Sequence, residues 1–194
     1  MAQPINYIPA KDIHEAIQIR RNLTNNPADM NEHIRDDSLM EYANKVEVVK
    51  ELGVYQGVTA AMFLTQPNVK KYIGVDVNFN LYNTHLKHHI DAYCEEHSKV
   101  VELYKTSSTD PSTVSPCDML HIDSLHQARH LKKELILHLD SVRKYVAFHD
   151  VNQDGRRLFK VVMQHIKDKP EWQVAIDHPK GKCGYLIIER IDNV

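Results

Sequence analysis

Polar and apolar positions along this chain form short runs whose period changes repeatedly. Residues 1–36 are polar and weakly periodic, with prolines at 4, 9 and 27, and read as an N-terminal arm or lid with a short helix near 11–20. "DDSLMEYANK" predicts a helix, with Asp37 or Ser38 as N-cap and Leu39, Tyr42 and Ala43 on one face. From Val46 onward the pattern alternates. "VEVVKEL" (46–52), "KKYIGVDV" (70–77), "KVVELYK" (99–105), "CDMLHI" (117–122) and "KYVAFH" (144–149) predict five strands. Helices are predicted between and after them. They cover 57–64, 79–96 with Leu86, Ile90 and Cys94 at spacing four, 125–142 with Leu131, Leu135, Leu139 and Val142 on one face, and 155–168. Finally "WQVAID" and "GYLIIER" flank "HPKGKC", which reads as a turn between two antiparallel strands.

Strand-helix alternation through five strands predicts an α/β fold with a parallel sheet covered on both faces, and the closing hairpin adds antiparallel pairing at one edge. With no internal repeat, low-complexity segment or linker, residues 37–194 read as a single domain behind the arm. In open sheets of this kind ligands bind beyond the carboxyl ends of the strands. Attention therefore falls on 51–59, 76–80, 105–110, 123–126 and 149–154.

Composition narrows the picture only by exclusion. The 194 residues carry 42% hydrophobic and 26% charged side chains, ordinary for a globular chain. A net charge of -2 gives no strong nucleic-acid or anionic-membrane signal. Cys94, Cys117 and Cys183 form no CxxC pair, so neither a disulfide framework nor a zinc knuckle is expected. The N-terminus lacks the layout of a signal peptide and no apolar run approaches a bilayer span, so the expected setting is cytoplasmic. Thirteen histidines are unusual, but most fall in polar surroundings. "HLKHH" (85–89) reads as a solvated helix face, and "GRR" (155–157) as surface charge or an anion contact.

The chemistry gathers at the strand ends. Glu51-Leu-Gly53-Val-Tyr55-Gln-Gly57-Val-Thr59 places two glycines four residues apart between a strand and a helix. That suits close backbone approach to a ligand, or simply a tight turn. A third glycine and a following lysine are both missing, so neither the dinucleotide fingerprint nor the P-loop is complete. Asp76 ends the second strand, where a carboxylate can accept both hydroxyls of a ribose or cap a loop. Asp123, His126, His149 and Asp150 end two strands expected to be neighbours. Two aspartates with an oxygen donor suit Mg²⁺, whereas the histidines would suit a transition metal.

"ELGVYQGVT", "IGVDVN", "CDMLHIDSLH" and "YVAFHDVN", in this order, resemble class I S-adenosylmethionine-dependent methyltransferases, in the small-molecule O-methyltransferase-like branch of methyltransferase family 24. The resemblance covers roughly residues 27–190. It implies a doubly wound, Rossmann-like, seven-stranded sheet, mostly parallel with an antiparallel last strand. It implies cofactor contacts from Glu51, Gly53, Tyr55, Gly57 and Thr59 on the methionine side. Asp76 would hold the ribose, Ser108 of "TSST" would reach the adenine, and Asp123 would lie beside the sulfonium. A divalent cation, Mg²⁺ or another, would be held by Asp123, Asp150 and Asn152, with Val151 interrupting the usual adjacency of that last pair. His126 is the expected general base, with Asp123 and His149 beside it; a helix N-terminal residue and a packing histidine are the plainer readings of His126 and His149.

The expected activity is methyl transfer from S-adenosylmethionine to a hydroxyl or similar nucleophile on a small-molecule acceptor. A homo-oligomer is compatible with all of this. The other readings are a catalytically silent cofactor-binding subunit, a hydroxylase on the same scaffold, and a nicotinamide oxidoreductase, the last disfavoured by the incomplete glycine fingerprint.

Overall fold

A computed structural model describes residues 10–24, 30–178 and 184–191. Its centre is a seven-stranded sheet in the order β3-β2-β1-β4-β5-β7-β6. The strands are β1 (Val48–Leu52), β2 (Lys71–Asp76), β3 (Val100–Lys105), β4 (Cys117–Ile122), β5 (Val142–His149), β6 (Trp172–His178) and β7 (Tyr185–Arg190). Pairing is parallel from β3 through β5, and β7 runs antiparallel between β5 and β6. The mostly parallel sheet with a reversed last strand is thus the fold that the sequence predicts.

The helices are α1 (Ile13–Thr24), α2 (Met30–Ala43), α3 (Val58–Leu64), α4 (Asn80–His85), α5 (Lys87–Glu96), α6 (Ala128–His138) and α7 (Gln153–Ile166). Helices α1, α2, α3 and α5 pack together, as do α6 and α7. Two apolar cores result. Val49, Phe63, Tyr72, Leu86, Ile90 and Met119 fill one, and Leu52, Leu120, Leu131, Leu135, Phe148 and Val162 fill the other. Neighbours such as Met119 and Leu120 go to different cores because side chains alternate across a strand. Central β4 is buried at every position, as expected of a strand covered on both faces.

Several local expectations need correction. Helix α2 begins at Met30, so Asp37 and Ser38 lie within it and not at its N-cap. The helix expected over 79–96 divides at Leu86, whose φ of −120° departs from helical values. Residues Leu139–Ser141 form a 3-10 turn, and Val142 opens β5 with extended backbone instead of extending the helical face. His85 does not share the solvated face of His88. It is buried under α1, with Nδ1 2.6 Å from Arg20 Nη2. Ile13, Ala16 and Ile17 of α1 belong to the first of these cores; residues 1–9, 25–29, 179–183 (the "HPKGKC" turn after His178, with Cys183) and 192–194 lie outside the described residues. Cys94 and Cys117 are buried free thiols.

The β3–β4 crossover carries only a one-turn 3-10 helix, Pro111–Thr113, which leaves β3 poorly covered: Val100 is half exposed. Beneath that crossover sits Lys50, fully buried on β1, with Nζ donating to the Thr113 carbonyl. Burial pulls the Lys50 ammonium down to about 8. Among the described residues no helix is long and apolar enough to cross a membrane.

Candidate active site

The turn after β1 is built from backbone constraints. Gly53, Tyr55 and Gly57 all adopt positive φ, at 92°, 49° and 82°. A Cβ on Gly53 would lie 2.2 Å from the Asp123 carbonyl oxygen, and one on Gly57 would lie 2.5 Å from the Tyr82 ring. Both glycines are therefore demanded by neighbouring parts of the chain, before any ligand is considered. Thr59 follows in the first turn of α3.

Asp76 is the hub of this turn. Its Oδ2 accepts hydrogen bonds from the backbone N–H groups of Val54 and Tyr55 at 2.8 and 2.9 Å, and its Oδ1 accepts from Asn78 N at 2.9 Å. The carboxylate thus ties the end of β2 to the glycine turn while remaining partly exposed. Glu51, by contrast, is buried below the turn. Its Oε2 accepts from the Tyr72 hydroxyl and its Oε1 meets His121 Nδ1 at 3.0 Å. Burial raises the Glu51 carboxyl, and the two partners oppose that shift. In this arrangement Glu51 supports the turn from beneath and both its oxygens are engaged.

Ser108 is also turned inward. Its hydroxyl lies 2.9 Å from His130 Nε2, and its carbonyl accepts from His138 Nε2 at 2.8 Å. Glu134, fully buried, takes a hydrogen bond from the Ser124 hydroxyl and lies 3.2 Å from His130. Desolvation raises the Glu134 carboxyl and pulls the His138 imidazole down to about 4. His130, Glu134 and His138 recur every fourth residue along α6, beside its leucine stripe. That spacing was available in the sequence and marks a second buried face.

At the ends of β4 and β5 the polar side chains converge. Asp123, His126, His149 and Asp150 each bring one nitrogen or oxygen into a group within 4.8 Å of one another. His126 Nε2 stands 3.3 Å from Asp123 Oδ1 and 2.8 Å from Asp150 Oδ2, and His149 Nδ1 stands 3.0 and 2.9 Å from the same two atoms. The parallel pairing of β4 with β5 sets the strand ends side by side. Asp150, nearly fully buried, takes a positive φ of 59°, a conformation that Asp tolerates better than most residues. Asn152 follows at the N-cap of α7, with its Cβ against Gly184.

Electrostatics in this group are strongly coupled. Hydrogen bonds to Asp123 and then Asp150 lift the His126 imidazole to about 10. Burial alone would raise both carboxyls, but the hydrogen bonds from His126 and His149 outweigh it and hold them far below the usual carboxylate range. In this arrangement the two carboxylates favour the protonated form of His126. Arg156 pairs with Asp177 and lies over the Phe159 ring.

A sheet of this order, with a glycine turn after β1, an acidic end to β2 and a polar cluster beyond β4 and β5, defines a Rossmann-like transferase architecture. The comparisons agree. The family model of a methyltransferase domain, Methyltransf_24, matches residues 50–151, and the chain belongs to that family of class I S-adenosylmethionine-dependent methyltransferases. No protein of curated function matches its sequence. Among solved structures, it resembles the O-methyltransferase TomG of Streptomyces achromogenes, involved in tomaymycin synthesis and solved with S-adenosylmethionine. The TM-score is 0.64 at 11% identity, over 97% of this chain and 93% of that one. An O-methyltransferase of Bacillus cereus in complex with S-adenosylhomocysteine matches at TM-score 0.64 and 11% identity, over 96% and 94%. CalS11, a TDP-rhamnose 3'-O-methyltransferase of calicheamicin biosynthesis, matches at 0.56 and 18%, over 93% and 96%. At these identities the likeness is one of fold.

Proposed function

We propose that this methyltransferase transfers the methyl group of S-adenosylmethionine to a hydroxyl of a small molecule bound against the Asp123, His126, His149 and Asp150 cluster. One observation carries the reading: that cluster adjoins the glycine turn through the Gly53–Asp123 backbone contact, so donor and acceptor sites share one wall. Three large apolar side chains stand unusually exposed just past strand ends, Tyr55 at 64%, Val77 at 66% and Leu125 at 52%. Exposed apolar surface around a rim of strand ends is what a bound cofactor would cover. Asp76, already anchoring the turn, would take the ribose hydroxyls with its remaining acceptor capacity. The O-methyltransferase character of TomG, the Bacillus cereus enzyme and CalS11 supports a hydroxyl acceptor.

The chain's own residues would divide the work. Methyl transfer is an in-line displacement, and the sulfonium leaves without needing a proton. The acceptor must lose one, and Asp123 and His126, the more exposed members of the cluster, would take its side. A divalent cation held by the cluster would lower the pKa of an acceptor oxygen. His149 and Asp150, more deeply buried, would position the other two.

The test is calorimetric titration with S-adenosylhomocysteine, followed by transfer of labelled methyl from S-adenosylmethionine to a panel of phenols, sugars and small alcohols. Binding and methylation of one acceptor class are expected. Absence of S-adenosylhomocysteine binding would refute the donor assignment, and methylation of amines alone would refute the acceptor assignment.

A further inference from the structure

We propose that Asp123, His126, His149 and Asp150 form a site for one first-row transition-metal ion, in preference to Mg²⁺. The placing of that ion beside an acceptor rests on the function proposed above; the site itself rests on the four side chains. Their donor atoms alternate nitrogen and oxygen around a ring with sides of 3.3, 2.8, 2.9 and 3.0 Å. Nitrogen and oxygen ligands bind such ions at about 2.0–2.2 Å, which sets neighbouring donors roughly 3 Å apart. The ring's sides, the hydrogen-bond spacing of two imidazoles and two carboxylates, also match the spacing of neighbouring donors around one ion.

The donor types choose the ion. Mg²⁺ takes oxygen ligands and keeps several waters, whereas imidazole suits zinc, iron, cobalt and nickel. Half of this set is imidazole nitrogen. Calcium is disfavoured on the same ground, since it asks for six to eight oxygens. Among the described residues no other group of three or more His, Cys, Asp or Glu side chains meets in this way, His88 and His89 included.

Burial is graded around the ring. Asp150 is 4% exposed and His149 15%, while Asp123 is 30% and His126 41% exposed at their side chains. Two ligands are held by the protein interior and the opposite side of the ring is open. Closed shells characterise structural sites; a reactive site keeps a position for a further ligand. An acceptor hydroxyl or a water would enter from that side as a fifth ligand.

The experiment uses the full chain stripped with EDTA. Co²⁺ is titrated by visible absorption, and Zn²⁺ and Mg²⁺ by calorimetry. One equivalent of Co²⁺ with ligand-field bands is expected, with Zn²⁺ tighter than Mg²⁺ by about 100-fold or more. His149→Ala and His126→Ala should each weaken Co²⁺ by about tenfold or more. His126, the most exposed ligand, supplies the variant that keeps the fold if His149→Ala does not, and circular dichroism checks both. Mg²⁺ binding as tightly as Co²⁺ overturns the proposal. So does Co²⁺ binding that neither variant weakens, since the ion would then sit on surface histidines. S-adenosylhomocysteine is titrated separately in EDTA. Its failure to bind beside an intact Co²⁺ site would sink the methyl-donor reading and leave the metal site standing.

Discussion

Gly53→Ala tests how the fold builds the site. Gly53 has φ +92°, and an added Cβ would lie 2.2, 2.7 and 2.9 Å from the Asp123 carbonyl oxygen and carbon and Ser124 Cα. All three are backbone atoms, so no side chain can turn aside. Both segments are also pinned, with Gly53 N donating to Val75 O and Asp123 N to Leu52 O at 2.9 Å each. Positive φ costs alanine about 1–2 kcal/mol, and overpacking a tight contact costs about 1–3 kcal/mol more. Relaxation of the β4–α6 loop will recover part of this, so about 3 kcal/mol is expected. At this chain length that corresponds to a fall in Tm of roughly 6–12 °C. Gly155 provides the control. Its φ is +65° and nothing lies within 4 Å of its Cβ position, so Gly155→Ala should cost only the conformational share, about 1–2 kcal/mol. Urea denaturation and scanning calorimetry of both variants read the difference. Because the Asp123 carboxylate hangs from the displaced backbone, Gly53→Ala should also weaken Co²⁺ and S-adenosylhomocysteine, and Gly155→Ala should spare both. If Gly53→Ala proves no less stable than Gly155→Ala, the close packing of the two strand ends does not explain the glycine.

Two further outcomes follow from single side chains. Asp76→Ala removes the acceptor for Val54 N, Tyr55 N and Asn78 N, and should weaken S-adenosylhomocysteine by about 1–3 kcal/mol in calorimetry; unchanged affinity would reject the ribose assignment. Lys50, fully buried with its ammonium lowered to about 8 from 10.5, makes the unfolded chain the better proton binder between those values. Its contribution to stability is therefore least below pH 8 and rises by about 3 kcal/mol as pH climbs to about 10.5. Lys50→Met should remove that slope from denaturation curves taken between pH 7.5 and 10. Parallel curves for the two proteins would show that Lys50 carries no shifted proton.

Much of the architecture was legible because it is written locally. The apolar runs at 46–52, 70–77 and 117–122 coincide with strands buried on both faces, and Leu131, Leu135 and Leu139 pack where their spacing places them. Errors fell where a distant partner decided the outcome. His85 looked solvated until α1 covered it with Arg20. The partners of Glu51 were equally hidden, since Tyr72 and His121 come from two neighbouring strands to meet its oxygens. The contact of the Ser108 hydroxyl with His130 likewise joins segments far apart in sequence. The polar stripe of α6 was missed because histidine and glutamate at spacing four read as a solvated face unless their burial is known.

By itself, the amino-acid order determined the alternation of strands and helices, the reversed closing strand, the two glycines and the acidic end of β2, since each depends on periodicity or on backbone freedom within a few residues. It also named Asp123, His126, His149 and Asp150 as a group. Only the tertiary structure decided that their donor atoms close a ring of about 3 Å sides, because Asp123 and Asp150 leave different strands and meet through the register of β4 on β5. It also decided that Gly53 answers to the Asp123 backbone before it answers to any cofactor. Such contacts are set by how strands pair and by what burial does to charge, and neither is a property of neighbours in sequence.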